Sequence, residues 1–145
     1  MESDITGAYN AYRQKLAECA ATIKSRVKAE SSLRELKEEL GLTANMYYQR
    51  LNYPQNIPIE EIKALAELLK DDSLIQLFED AHKLGHQMTV VIDDNIKRAD
   101  ISVTFLCKKL GIDTSNFYRK QKDPRLWGQA EVEKMTQVVE TIMSL

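Results

Sequence analysis

Apolar residues recur along most of the chain at intervals of three and four positions, which is the spacing of one face of an α-helix. The first such stripe comprises Leu16, Ala20, Ile23 and Val27. It predicts a long helix over about Ala8–Glu30. Only 5 Gly and 3 Pro interrupt the 145 residues, fewer than a strand-rich fold with many turns would need. The pattern therefore predicts an all-α protein.

The pattern repeats after 70 positions. Residues 26–69 align with residues 96–139 without a gap, and eight of the 44 aligned pairs are identical. The identical pairs are Ala29/Ala99, Ser32/Ser102, Leu36/Leu106, Leu40/Leu110, Gly41/Gly111, Tyr48/Tyr118, Pro54/Pro124 and Glu61/Glu131. They predict two copies of one supersecondary unit, over residues 1–72 and 73–145. The alternative is that both halves are simply amphipathic helices in a similar order.

Each copy is predicted to contain four helices. A long first helix is followed by a short second helix, a short third helix and a final helix. After the first helix, the predicted ranges are Leu33–Leu40, Ala44–Leu51 and Ile59–Leu69 in the first copy, and Val103–Leu110, Thr114–Lys122 and Gln129–Met143 in the second. The stretch MTVVID, residues 88–93, has the β-branched residues of a strand, but its place in the repeat favours helix.

Capping residues set the limits of the short helices. Ser32, with Glu35 three residues later, and Ser102 are predicted to cap the second helix of each copy. That helix ends at Gly41 or Gly111, where a positive φ carries no steric penalty. Side chains suited to capping then precede each third helix, namely Thr43 and Asp113.

Charge is distributed unevenly along a chain whose formal net charge is −2. Residues 106–125 contain six Lys or Arg and two Asp, a balance of +4, whereas residues 36–55 contain two of each sign. A nucleic-acid coat protein would be basic throughout, so any nucleic-acid binding must come from a local patch. A solvated basic face with no partner is the alternative for the patch.

The sequence also bears on localisation. It has no apolar run of about 18 residues and no basic flank before an apolar stretch, so we expect neither a membrane span nor a secretory signal. Cys19 and Cys107 both lie in apolar helical patterns. They are predicted to be buried free thiols of a cytoplasmic protein.

The segments from Leu36 to Tyr48 and from Leu106 to Tyr118 share the pattern L-x-x-x-L-G-[LI]-[TD]-x-x-x-[YF]-Y. It resembles the helix-turn-helix of phage-repressor-like and tetracycline-repressor-type DNA-binding proteins, and that of some transposases. The resemblance implies that Leu106, Leu110 and Phe117 are core residues, and that Cys107 fills a position where two helices cross closely. At the corresponding position the first copy has Lys37, which departs from the pattern.

The third helix of the second copy would then be the DNA reader, because a major groove about 12 Å wide admits one α-helix. Small polar residues at its start can approach base edges, and the basic residues that follow can reach phosphates or guanine. The predicted DNA-binding residues are Thr114, Ser115, Asn116, Tyr118, Arg119, Lys120, Lys122 and Arg125. In the first copy they are Asn45, Gln49 and Arg50, although the neutral balance there fits protein contact equally well.

Other chemistry has little support in the sequence. His82 and His86 share a helical face, but no third metal ligand can be nominated. No phosphate-binding glycine loop or nucleophilic triad is recognisable, so we expect neither an enzyme nor a cofactor. Trp127 is interpreted as core closure between the third and fourth helices.

The preferred interpretation is a small bacterial or phage-type transcriptional regulator that binds specific sequences in double-stranded DNA. Two copies in one chain would mimic a dimer, with half-sites about 34 Å apart on the DNA. The sequence also leaves open a homodimer of two whole chains. One alternative is a helical interaction or assembly module that has lost DNA binding. Another is a DNA-targeting accessory of a mobile element.

Overall fold

The computed structural model describes residues 4–30 and 32–145, and their side chains outside residues 28–33. This part of the chain is helical without a strand, so the all-α prediction is confirmed, including the MTVVID stretch. Its α-helices are α1 Asp4–Glu30, α2 Ser32–Leu40, α3 Ala44–Asn52, α4 Ile59–Leu69, α5 Ser73–Ala99, α6 Val103–Leu110, α7 Thr114–Lys122 and α8 Gln129–Met143. Short 3₁₀ turns over Pro54–Asn56 and Pro124–Leu126, which the sequence did not predict, precede α4 and α8.

Side-chain caps start two of the short helices as predicted. The hydroxyl of Thr43 accepts a hydrogen bond of 3.1 Å from the backbone N–H three residues on, and Ser102 accepts the equivalent bond at 3.0 Å. Asp113 occupies the N-cap position of α7, but its side chain makes no capping bond. The predicted cap by Ser32 lies outside the described side chains.

Both turn glycines adopt the left-handed conformation. Gly41 has φ of 63° and Gly111 has φ of 73°, values that carry a steric cost for most residues with a Cβ atom. After Gly111, the N–H of Ile112 donates to the carbonyl of Cys107 at 3.1 Å, and the end of α2 has the same bond at 3.0 Å. This arrangement is a Schellman motif, which satisfies carbonyls at the helix end and redirects the chain.

The chain forms two compact units. The α3 unit is Arg13–Lys83, and the α7 unit combines Met1–Tyr12 with Leu84–Leu145. Each of the long helices α1 and α5 contributes residues to both units. The division at residue 72, which rests on the sequence repeat, stays a prediction.

The core of the α3 unit forms where α2 and α4 pack together with parts of α1 and α5. Its buried residues are Leu16, Cys19, Ile23, Leu36, Leu42, Pro54, Ile57, Ile62, Leu65, Ala66, Leu74, Phe78 and Ala81. On α1 the buried positions follow a three-and-four alternation that includes Cys19. Ala20 and Val27, predicted to lie on the stripe, are only half-buried because they flank that seam.

The core of the α7 unit is built around aromatic residues. Its buried apolar residues are Ile5, Tyr9, Tyr12, Met88, Ile92, Ile96, Ala99, Leu106, Cys107, Phe117, Trp127, Val132, Met135 and Val139. Leu106, Cys107 and Phe117 are buried as the resemblance implied, whereas Leu110 is half-buried. None of the described helices combines the length and apolar character required to cross a membrane.

Candidate nucleic-acid interface

Helix α7 exposes one continuous stripe. Ser115, Tyr118, Arg119 and Lys122 occupy positions i, i+3, i+4 and i+7, and all four are exposed. Thr114 at the start of the helix is exposed too, and Asn116 is half-buried. Six of the predicted DNA-binding side chains therefore lie on or beside a solvent-facing surface of α7.

The opposite side of α7 is fixed by an aromatic contact. The rings of Phe117 and Trp127 meet edge to face with centroids 5.6 Å apart, and Trp127 is only 1% exposed. The predicted role of Trp127 in core closure is confirmed. Because the buried face of α7 is anchored by these two rings, its exposed stripe has a fixed orientation.

Gln121 ties the end of α7 to two other segments. Its amide nitrogen donates to the carbonyl oxygen of Thr89 and to a carboxylate oxygen of Asp93, both at 3.1 Å. Its amide oxygen accepts a bond of 3.1 Å from the indole N–H of Trp127. The role of Gln121 could not be predicted from the sequence, because an amide in a basic polar helix carries no signal of burial.

Lys120 is engaged within its own unit. Its Nζ atom lies 3.1 Å from a carboxylate oxygen of Glu131 and donates to the carbonyl oxygen of Leu126 at 3.0 Å. It also lies 5.8 Å from the centroid of the Trp127 ring. These contacts direct Lys120 toward α8, while its neighbour Arg119 stays exposed.

Arg125 is also neutralised locally. Its guanidinium donates two hydrogen bonds to the carboxylate of Asp123, at 2.9 and 3.0 Å. These bonds are the main reason that the pKa of Asp123 is lowered, with the positive charge adding to the effect and burial opposing it. Of the predicted basic contacts, Arg119 and Lys122 remain without an internal ion pair among the described residues.

Helix α6 adds two further exposed cations to Arg119 and Lys122. Lys108 and Lys109 are exposed in its last turn, just before Gly111, and neither forms an ion pair in the described part of the chain. The Nζ of Lys109 lies 5.5 Å from the centroid of the Phe105 ring. We call Lys108, Lys109, Arg119 and Lys122 the cationic set. Their place on either side of the glycine turn is a sequence signal that would have identified both lysines.

Helix α3 presents a different surface. Asn45, Tyr48 and Gln49 are exposed, but Arg50 makes two hydrogen bonds to Glu61, at 3.0 and 3.2 Å, and both side chains are largely buried. The α3 surface therefore has polar groups that can contact a partner, but its one cation is already paired. Lys37, which departs from the helix-turn-helix pattern that the sequence resembles, lies with Nζ 5.4 Å from the centroid of the Tyr47 ring.

Reactive groups elsewhere are isolated. Cys19 and Cys107 are buried free thiols, and burial raises the pKa of both, that of Cys19 to about 11. His82 and His86 are exposed. Within residues 4–30 and 32–145, no three His, Cys, Asp or Glu side chains are grouped to hold a metal ion.

Comparison of the chain with protein-family models, with curated proteins and with solved structures finds no match.

Proposed function

We propose that the protein binds specific sequences in double-stranded DNA through a helix-turn-helix formed by α6 and α7, and acts as a small transcriptional regulator. Helix α7 enters the major groove, where Thr114, Ser115 and Asn116 contact base edges. The cationic set contacts the phosphates on either side. Phosphate contacts fix the position of the protein on the duplex, and base contacts supply specificity.

The observation that carries this proposal is the exposed stripe of α7. A reader helix needs one face anchored in the core and the other free at the surface. Phe117 supplies the anchor, and Ser115, Arg119 and Lys122 lie on the free side. The three-residue turn from Gly111 to Asp113 between α6 and α7 is as short as a helix-turn-helix requires.

The same interpretation makes the chain a tandem repeat. Helices α3 and α7 begin 70 residues apart, as do α4 and α8. The ion pair between Arg50 and Glu61 recurs between Lys120 and Glu131, again 70 residues later. An ion pair that joins corresponding helices at corresponding positions supports descent of both units from one ancestral unit.

The charge of the α7 unit limits the strength of binding. Four free cations can release at most about four counterions, so the logarithm of affinity should fall with the logarithm of salt with a slope of about −3 to −4. A net charge of −2 gives no reason to expect further non-specific attraction. Binding should therefore be weak except on its preferred sequence.

A mobility-shift titration tests the proposal. The protein should select a short sequence from a random duplex pool, and Arg119→Ala/Lys122→Ala should lower affinity for the selected duplex at least about tenfold. Lys24→Ala/Lys63→Ala removes two exposed charges from the α3 unit and serves as the matched control. Equal affinity of the wild type and the α7 variant would reject the proposed interface.

A second function is favoured by one observation on the α3 unit. Tyr48 and Tyr53 are 62% and 57% exposed beside a helix that has no unpaired cation. Exposed tyrosines are typical of protein interfaces, where they supply large contact areas at low entropic cost. The α3 unit therefore supports a role in protein interaction, within a chain whose α7 unit binds DNA.

A further inference from the structure

Positions that correspond in the two units have different charges. Where α6 has Lys108 and Lys109, the last turn of α2 has Glu38 and Glu39. Where α7 has Arg119 and Lys122, α3 has Gln49 and Asn52. All eight side chains are exposed. The internal ion pair is kept in both units.

The last turn of α2 is therefore anionic. Three glutamates, Glu35, Glu38 and Glu39, outnumber the two basic residues of α2, the exposed Arg34 and the half-buried Lys37, which gives this helix a net charge of −1. Glu35, Glu38 and Glu39 are exposed and form no ion pair with a described residue. Tyr48 and Tyr53 are the most exposed aromatic side chains of the α3 unit. We call the set Glu38, Glu39, Tyr48 and Tyr53 the anionic set. Carboxylates attract cations at long range, and tyrosine rings bind Lys and Arg side chains at contact.

We propose that the anionic set binds the cationic set of a second copy of this chain. The two sets have opposite charge and occur at equal concentration in any solution of the protein. Pairing of two cationic sets is opposed by repulsion, and so is pairing of two anionic sets, since like charges facing each other are unfavourable. Charge complementarity thus selects a contact between different surfaces of two identical chains.

Such a contact is heterologous, which determines the assemblies that it can build. If both sets of one copy engage both sets of another, the pair is closed; otherwise each copy leaves one set open and the assembly extends. In either case the cationic set is covered. Self-association therefore competes with DNA binding. This competition rests on the proposed function, whereas self-association itself does not.

Sedimentation velocity over a range of salt concentrations tests the self-association. The wild type should associate at about 20 mM salt, and its dissociation constant should rise at least about tenfold by about 200 mM as screening grows. Glu38→Lys/Glu39→Lys should abolish association, and so should Lys108→Glu/Lys109→Glu. The control, Glu60→Lys/Glu67→Lys, makes the same charge change on exposed positions of α4 and should associate like the wild type.

Mixing the two charge-reversed variants is the decisive arm. Neither associates alone, but the first variant keeps its cationic set and the second keeps its anionic set. These two unchanged sets can pair, and the reversed charges at positions 38 and 39 of the first also complement those at positions 108 and 109 of the second, so the mixture should recover association. Circular dichroism checks that each variant is folded. A monomeric wild type at low salt, association that strengthens with salt, or a mixture that stays monomeric would overturn the proposal.

The DNA arm separates this inference from the proposed function. Adding the selected duplex should dissolve the assembly in proportion to the DNA bound. If the wild type associates and the variants behave as described, but no duplex binds, self-association stands and the proposed function fails. If duplex binds without any self-association at low salt, the proposed function stands and this inference fails.

Discussion

Lys120 on α7 lies 3.1 Å from Glu131 on α8, at positions equivalent to the Arg50–Glu61 pair 70 residues earlier. Glu131 also accepts a hydrogen bond of 3.0 Å from the backbone N–H of Gly128, which caps the start of α8. Lys120, which the sequence predicts to be a DNA contact, thus links α7 to α8.

This contact predicts that Lys120 and Arg119 behave differently. Lys120→Ala should lower the free energy of unfolding by about 1–2 kcal/mol, because Glu131 loses its partner in a partly shielded site. It should leave the salt slope of DNA binding unchanged. Arg119→Ala should leave the free energy of unfolding nearly unchanged and should reduce the salt slope of DNA binding by about 1. Urea denaturation and salt titrations measure both quantities, and a reduced slope in Lys120→Ala would contradict the prediction.

Trp127 should contribute strongly to the stability of the α7 unit. Trp127→Ala removes a buried indole and its contact with Phe117, at a cost of about 3–5 kcal/mol. Trp127→Phe should cost less, since it keeps an aromatic ring and loses the bond to Gln121. The exposed neighbour Leu126 is the control, and Leu126→Ala should change stability by less than about 1 kcal/mol. Urea unfolding followed by circular dichroism measures all three.

Gly111 is required for its backbone conformation and not for space. A Cβ there would meet nothing within 4 Å, but φ of 73° is unfavourable for any L-side chain. Gly111→Ala should therefore cost about 1–2 kcal/mol. Gly111→Asn should cost less, because asparagine tolerates the left-handed region. Equal thermal stability of the wild type and Gly111→Ala would contradict this account.

Gly85, in contrast, is required because there is little space for a side chain at its position. It lies within α5, where a Cβ would be 3.0 Å from Pro124 and 3.0 Å from the ring of Tyr12. Gly85→Ala gains about 1 kcal/mol of helix propensity but overpacks the site by about 1–3 kcal/mol, so we expect a net loss of stability. Combining it with Pro124→Ala should relieve part of that loss. Strict additivity in this double-mutant cycle would show that the two positions do not interact.

Cys19 should be protected from thiol reagents in the folded protein. Burial raises its pKa to about 11, so the thiol keeps its proton at pH 8 and reacts slowly. Since this folded-state pKa is above the unfolded value, the contribution of the group to stability is complete below the unfolded pKa. That contribution declines as pH rises toward about 11. Labelling of Cys107→Ala, which leaves one thiol, should be slow in buffer and fast in urea; fast labelling in buffer would contradict burial.

The helices could be predicted from the sequence because their limits depend on local chemistry. Ser102 and Thr43 cap the helices that they precede, and Gly41 and Gly111 have the positive φ expected of them. The buried position of Phe117 also followed from its place in the pattern. Each of these features is determined by residues within a few positions along the chain.

Which Lys and Arg side chains form internal ion pairs could not be predicted in this way. Arg50, Lys120 and Arg125 look identical in the sequence to Arg119 and Lys122, yet the first three form ion pairs with Glu61, Glu131 and Asp123. Two of those partners are eleven residues away on another helix, so the choice depends on how the helices pack. The same limit applies to Gln121, whose bonds to Thr89 and Asp93 span 32 and 28 residues.

The α7 unit combines two separate stretches of the chain, which affects the order in which its parts can fold during synthesis. The α3 unit is one uninterrupted stretch, so a nascent chain can complete it early. The α7 unit needs residues from the start of the chain, and the hydroxyl oxygens of Thr6 and Thr136 lie 3.2 Å apart within it. The first turns of α1 must therefore wait until α8 has been synthesised before their apolar side chains are covered.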